Sequence, residues 1–160
     1  MKIRLATPED AEGICNVSVI TWKKTYAGLI PDEILAQKTV TKQKTDQWKT
    51  RIMNNVDTSL FVLENDGQIL GFLWGGKARD SVLSEYKEIY AFYILPEMQG
   101  HGYGRKLFEY FSQKYNTTKI YAYVLKNNPS EGFYKKLGFS CQTQYAKAEG
   151  VFMENAFLHS

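Results

Sequence analysis

Gln99-Gly100-His101-Gly102-Tyr103-Gly104-Arg105-Lys106-Leu107, reached through Ile94-Leu95-Pro96, decides how this 160-residue chain is read. Glycines at alternate positions let the backbone turn tightly with its N–H groups outward. Leu107, Phe108, Tyr110 and Phe111 then recur at helical spacing across Arg105 to Lys114. The helix adds the positive end of its dipole to the turn, so the stretch is read as an anion site suited to phosphate, or as a plain strand-to-helix loop. Its GxGxG spacing lacks the third interval of the dinucleotide fingerprint, no acid stands ~20 residues on at a clean strand end, and the phosphate-loop Lys-Ser/Thr pair is missing. A nucleoside triphosphate or NAD site is thereby disfavoured.

Upstream of the turn, Lys87 to Leu95 is a strand rich in Tyr, Ile and Phe, ended by Pro96. Ser59–Glu64 and Gln68–Gly75 flank Asn65-Asp66-Gly67 as a β-hairpin. At the start of the chain, Ile3 and Leu5 alternate with Arg4. Thr7-Pro8-Glu9-Asp10 then supplies an N-cap, a first-turn proline and two acids for a helix that carries Ile14, Val17, Ser18, Thr21 and Trp22 on one stripe. That helix runs out near Tyr26-Ala27-Gly28, and a second is expected from Pro31-Asp32-Glu33 as far as Asn54-Asn55. Downstream come a strand over Lys119–Leu125, a helix over Ser130–Leu137 stopped by Gly138, and strands near Ser140–Lys147 and Val151–Leu158. The order is βααβββαβαββ, an α/β fold with a mixed sheet. No linker or repeat divides the chain, so residues 1–160 are read as one domain.

Gln99-x-x-Gly102-x-Gly104 resembles motif A of the GNAT acetyltransferase superfamily. Asn127-Asn128-Pro129-Ser130-Glu131-Gly132-Phe133-Tyr134-Lys135-Lys136-Leu137-Gly138-Phe139 is similar to its motif B. The two occur in the family's order, and the element order matches over nearly the whole chain. The resemblance implies a GNAT fold, with a mixed, mostly antiparallel central sheet and splayed strands. It also implies transfer of an acetyl group from acetyl-CoA directly to a primary amine, without a covalent enzyme intermediate. On this implication the backbone of Gln99, Gly100, His101, Gly102, Tyr103, Gly104 and Arg105 holds the pyrophosphate. The backbone of Phe92, Tyr93 and Ile94 pairs with the pantetheine arm, and Asn127 and Ser130 contact the same region.

Amine acetylation needs a base, because an amine of pKa near 10.4 is almost wholly protonated at pH 7, and it benefits from an acid at the departing thiolate. Tyr134 stands at the family's general-acid position, with plain packing as the competing role. Glu88, six residues before Ile94, stands where the histone-acetylating branch has its base. Alternation sets Glu88, Tyr90, Phe92 and Ile94 on one face unless a bulge shifts the parity. Glu85 lies nearby, and ordered water is the other source of a base.

In the family the first two helices cover the acceptor. Here Thr21-Trp22-Lys23-Lys24-Thr25-Tyr26-Ala27-Gly28-Leu29-Ile30-Pro31 places Trp22 and Tyr26 four residues apart, as pocket wall or as core. A pocket wall of this kind would suit a cationic amine. The tract Lys38, Lys42, Lys44, Lys49 and Arg51 is a solvated face, or, if it borders the acceptor mouth, an argument for a substrate bearing an acid. The acceptor is a small-molecule or peptide amine.

Composition limits the alternatives. Two Cys and two His, at no ligand spacing, predict neither a structural metal nor a disulfide framework. The charged N-terminus has no signal-peptide core, and no apolar run approaches the ~20 residues of a membrane span, so a cytoplasmic protein is expected. A net charge of +3 with interspersed signs supports no nucleic-acid patch. The remaining rival is a non-catalytic acyl-CoA-binding or sensory module. A homodimer through the late strands is compatible with the fold, and nothing in the sequence decides it.

Overall fold

The computed structural model describes residues 1–149 and 152–160. Its strands are β1 (Lys2–Leu5), β2 (Thr58–Asn65), β3 (Gln68–Lys77), β4 (Lys87–Ile94), β5 (Ile120–Leu125), β6 (Ser140–Glu149) and β7 (Phe152–His159). They form one seven-stranded sheet in the order β1-β2-β3-β4-β5-β7-β6. Every pairing is antiparallel except β4 with β5. The expected mixed, mostly antiparallel sheet is therefore present. Val151, the expected start of the last strand, lies outside the described residues.

The helices are α1 (Ala11–Tyr26), α2 (Asp32–Ala36), α3 (Lys42–Met53), α4 (Tyr103–Tyr115) and α5 (Ser130–Lys136). The single helix expected between residues 31 and 55 is thus two. Thr39-Val40-Thr41 is a β-branched run that loses side-chain freedom in a helix. Thr41, extended at φ −128°, receives the Lys44 N–H at 3.1 Å and starts α3 afresh.

The helices cover opposite faces of the sheet. Leu107, Phe108 and Phe111 of α4 are buried, and a Cβ on Gly75 of β3 would meet the Phe111 ring at 2.9 Å. The neighbouring Trp74 points the other way, onto Trp48 of α3 at 5.5 Å. Period-two alternation along β3 thus divides an α4/α5 face from an α1/α3 face.

Two irregularities in β4 shape the site. Trp74 pairs with Ala91 but Gly75 pairs with Ile89, so Tyr90 is an extra, bulged residue. The bulge corrects the expected common face. Tyr90 packs on Trp74 at 4.8 Å on the α1/α3 side, whereas Phe92 packs on Phe133 of α5 at 4.9 Å. The second irregularity is a divergence. β4 and β5 pair only over Lys87–Ile89 against Ile120–Ala122, after which β4 stays with β3 and β5 with β7. A wedge-shaped gap opens between Tyr90–Ile94 and the end of β5.

Candidate active site

The glycine turn lies at the mouth of that gap. A short 3-10 turn, Pro96–Met98, leads to Gln99, whose side-chain amide donates to the Ile94 carbonyl at 2.9 Å and ties the turn to the end of β4. Gly100 (φ +80°) and Gly102 (φ +84°) occupy left-handed backbone that side chains rarely adopt, with nothing near their would-be Cβ atoms. Gly102 caps α4, and the first intrahelical bond there is from the Lys106 N–H to its carbonyl. The N–H groups of Tyr103, Gly104 and Arg105 are left to point out of the helix start, where the dipole is positive. Backbone amides, glycine clearance and an open strand edge fit a pyrophosphate carrying an extended arm.

Two side chains in the turn have other duties. Arg105 donates to the Lys136 carbonyl at 2.7 Å and closes the end of α5, so what it offers an anion is its backbone N–H. His101 is exposed, with Nδ1 3.3 Å from the Met98 carbonyl and its ring stacked on Tyr103.

Tyr134 is 7% exposed, enclosed by Phe92, Phe133, Phe139 and Phe157. Its hydroxyl has no hydrogen-bond partner among the described residues. Burial pushes its pKa well above that of an ordinary tyrosine, and the nearby hydroxyls of Tyr93 and Tyr26 add to the shift. Burial likewise raises Tyr93 and Tyr26. Tyr26 at the end of α1, Tyr93 on β4 and Tyr134 on α5 thus converge from three elements, and Trp22 packs at a tilt against Tyr26 at 4.7 Å.

Motif B is arranged differently from its linear reading. Asn127 adopts φ +67°, exposes its side chain and donates its N–H to Glu131 at 2.8 Å. Asn128, which sequence reasoning missed, is the buried asparagine, and its side chain reaches the Tyr26 hydroxyl. The Ser130 hydroxyl, expected to contact the cofactor arm, donates to the Asn128 side-chain oxygen, which also receives the Ser130 N–H at 2.8 Å.

Glu88 is 1% exposed. Its Oε1 receives the Arg79 N–H at 2.8 Å and the Tyr121 hydroxyl at 2.8 Å. Its Oε2 receives Arg79 Nε at 3.2 Å and Nη2 at 2.6 Å. Four donors fill the roughly four lone-pair positions of a carboxylate, which leaves no vacancy for a proton from substrate. The direct base role expected for Glu88 does not fit this geometry. Its contacts fasten the β3–β4 loop across the sheet. Glu85, the neighbouring candidate, is exposed and lies 3.5 Å from Lys119.

A cavity of about 290 Å³ adjoins this network, lined by Arg79, Asp80, Ser81, Glu88, Tyr123 and Lys147. Tyr123 donates to Asp80. Glu154 stands opposite Leu125 on the Tyr123 face, 4.0 Å from Lys147. The alternating tyrosines Tyr121 and Tyr123 were the available signal for this wall; Asp80, Lys147 and Glu154 had none. Among the described residues no group of three or more His, Cys, Asp or Glu is placed to hold a metal, and no helix is long and apolar enough to cross a membrane.

Comparison with known proteins agrees with this arrangement. Residues 57–141 match the family model described as an acetyltransferase (GNAT) domain. An uncharacterized N-acetyltransferase, YuaI of Bacillus subtilis (strain 168), is 32% identical over 137 residues, which cover 83% of this chain and 76% of the relative. Among solved structures, PaiA N-acetyltransferase of Thermoplasma acidophilum, in complex with coenzyme A, superposes with a TM-score of 0.77 at 23% identity, over 97% of this chain and 96% of that one. Ribosomal-protein-alanine N-acetyltransferase of Brucella melitensis has a TM-score of 0.69 at 21% identity, over 100% and 99% of the two chains. A glycine turn capping α4, a strand that parts from its parallel neighbour and a match over more than half the chain agree: the protein belongs to the GNAT acetyltransferase family.

Proposed function

We propose that this protein moves the acetyl group of acetyl-CoA directly to a primary amine. The observation that carries the reading is the hydroxyl of the buried residue Tyr134, unpartnered among the described residues, beside the stretch of β4 that has left β5. When bound, acetyl-CoA supplies an acyl carbon already activated as a thioester.

The chain's own residues do the rest. The backbone N–H groups of Gln99 to Arg105 hold the pyrophosphate. Phe92, Tyr93 and Ile94 offer backbone groups to the pantetheine arm, with Asn127 and the Ser130–Asn128 pair at its far side. Tyr134 keeps its proton throughout the working pH range, because burial disfavours the phenolate. A thiol of pKa near 8.5 is a stronger acid than this tyrosine, so Tyr134 stabilises the departing thiolate by a strong donated hydrogen bond rather than by complete proton transfer. Glu88 positions the loop and Tyr121, and water takes the amine proton. Cys15 is 1% exposed inside α1, which suits direct transfer rather than an acyl-cysteine.

Thermal shift with acetyl-CoA, CoA and NAD, paired with thiol release across an amine panel, tests the proposal. Stabilisation by the two coenzymes and amine-dependent thiol release are expected. Stabilisation without release from any amine would instead identify a binding module.

A further inference from the structure

On the α1/α3 face an aromatic band runs from Trp48 to Trp74 (5.5 Å) and on to Tyr90 at the bulge (4.8 Å). Phe72 links Trp48 to Tyr93 through contacts of 5.1 and 5.7 Å, and beyond Tyr93 lie Tyr26 and Trp22. Such a wall ordinarily attracts a cationic substrate. Here the ring faces already carry the protein's own cations. Lys38 lies 4.6 Å over Trp22, Arg51 4.5 Å over Trp48 and 4.6 Å over Trp74, and Arg79 4.5 Å over Tyr90. Across the gap, Lys147 lies 3.8 Å over Tyr123.

These cations differ in their compensation. Arg79 is matched by Glu88, and Lys147 by Glu154. Lys38 and Arg51 have no carboxylate partner among the described residues. Arg51 is half-buried, and loss of water lowers its pKa without approaching neutrality. Its guanidinium carbon lies over two indole faces set 75° apart, and its N–H groups donate to no protein group among the described residues. Beside it the buried Nε1–H of Trp74 also lacks an acceptor among the described residues. This end of the band is rich in donors and short of acceptors.

We infer that the acceptor amine carries a carboxylate, which the Arg51 guanidinium reads at the Trp48–Trp74 end of the band. The inference rests on the acetyl-transfer reading and narrows its substrate to amino acids or peptides with an acidic group. A planar fork of donors suits a bidentate carboxylate, and one already held over two rings loses little freedom on binding it. A polyamine would instead meet cations on ring faces that are already covered.

The test is thiol-release kinetics on amines matched in all but one group: glycine with glycinamide, 4-aminobutyrate with its amide, and glutamate with glutamine, with spermidine as the polycation. The wild type is expected to prefer the carboxylate member of at least one pair by about tenfold or more in kcat/KM. Arg51→Gln should collapse that ratio to near one through KM rather than kcat, and Arg51→Lys should restore part of it. Melting temperatures of both variants report any general loss of packing, which would lower both members of a pair together. Flat wild-type ratios, or spermidine as the best acceptor, would overturn this inference alone. A chain that releases no thiol with any amine would overturn the acetyl-transfer reading as well.

Discussion

A Cβ placed on Gly104 would stand 2.5 Å from Cε1 of Phe133, so the helix that follows the glycine turn rests directly on the helix that carries Tyr134. Phe133 in turn packs edge-on against Phe92 of β4. The two motifs are parts of one contact. Gly104→Ala gains ~1 kcal/mol in helix propensity, but the ring it meets also packs on Phe92 and Tyr134 and is no flexible chain end. Overpacking of about 1–3 kcal/mol should win. The expected result is a melting temperature a few degrees lower and coenzyme A binding weakened at least severalfold by calorimetry. Phe133→Leu added to Gly104→Ala should recover part of both.

Tyr134→Phe removes an oxygen that bonds to nothing among the described residues, so its melting temperature should match the wild type within a degree or two. Turnover should fall by about 10²-fold, the lower end for a lost proton donor, because a thiolate needs little help to leave. Coenzyme A affinity measured by calorimetry should change far less. Retention of full kcat at alkaline pH would remove Tyr134 from the chemistry.

Glu88→Gln keeps the shape but replaces an acceptor oxygen with a donor amide facing Arg79 or Tyr121. Stability should fall by about 1–3 kcal/mol, read by urea unfolding. The acidic limb of the pH–rate profile should keep its midpoint, as the positioning role proposed for Glu88 requires. A displaced midpoint would return Glu88 to the role of base.

Asp10 provides a pH test of the fold. Burial by itself would raise its pKa, but hydrogen bonds from Arg4 and from the Thr7 N–H outweigh burial and hold it below the usual carboxylate range. Arg4 donates at 2.7 and 3.0 Å, and the Thr7 N–H at 2.8 Å. A folded-state pKa below the unfolded value of about 3.9 makes this contribution complete above that value and removes it as pH falls through the folded pKa. Asp10→Asn should therefore lower the melting temperature at pH 7 and flatten its decline below about pH 5. Parallel melting curves against pH would contradict the assignment.

The α/β class, the strand and helix order outside residues 31–55, the glycine turn and the two motifs were legible in the chain because each depends on near neighbours. Positive φ needs glycine, a first-turn proline starts a helix, and alternation marks a strand. Tyr134 was singled out by the motif B resemblance and by no local conformational preference. What depends on partners distant in sequence was not legible. The bulge at Tyr90 follows from the β3–β4 register and turns Phe92 away from Glu88. The saturation of Glu88 requires Tyr121, 33 residues on. Asn128 is distinguished from Asn127 only by the side chains around it. The basic tract on α2–α3 was visible as charge, but whether each cation met a carboxylate, a carbonyl or an indole face was decided by packing. Local covalent and conformational preferences determined which elements form and where an anion can sit. Tertiary structure alone decided which carboxylates and cations are already spent on one another, because desolvation and pairing are properties of the assembled surface.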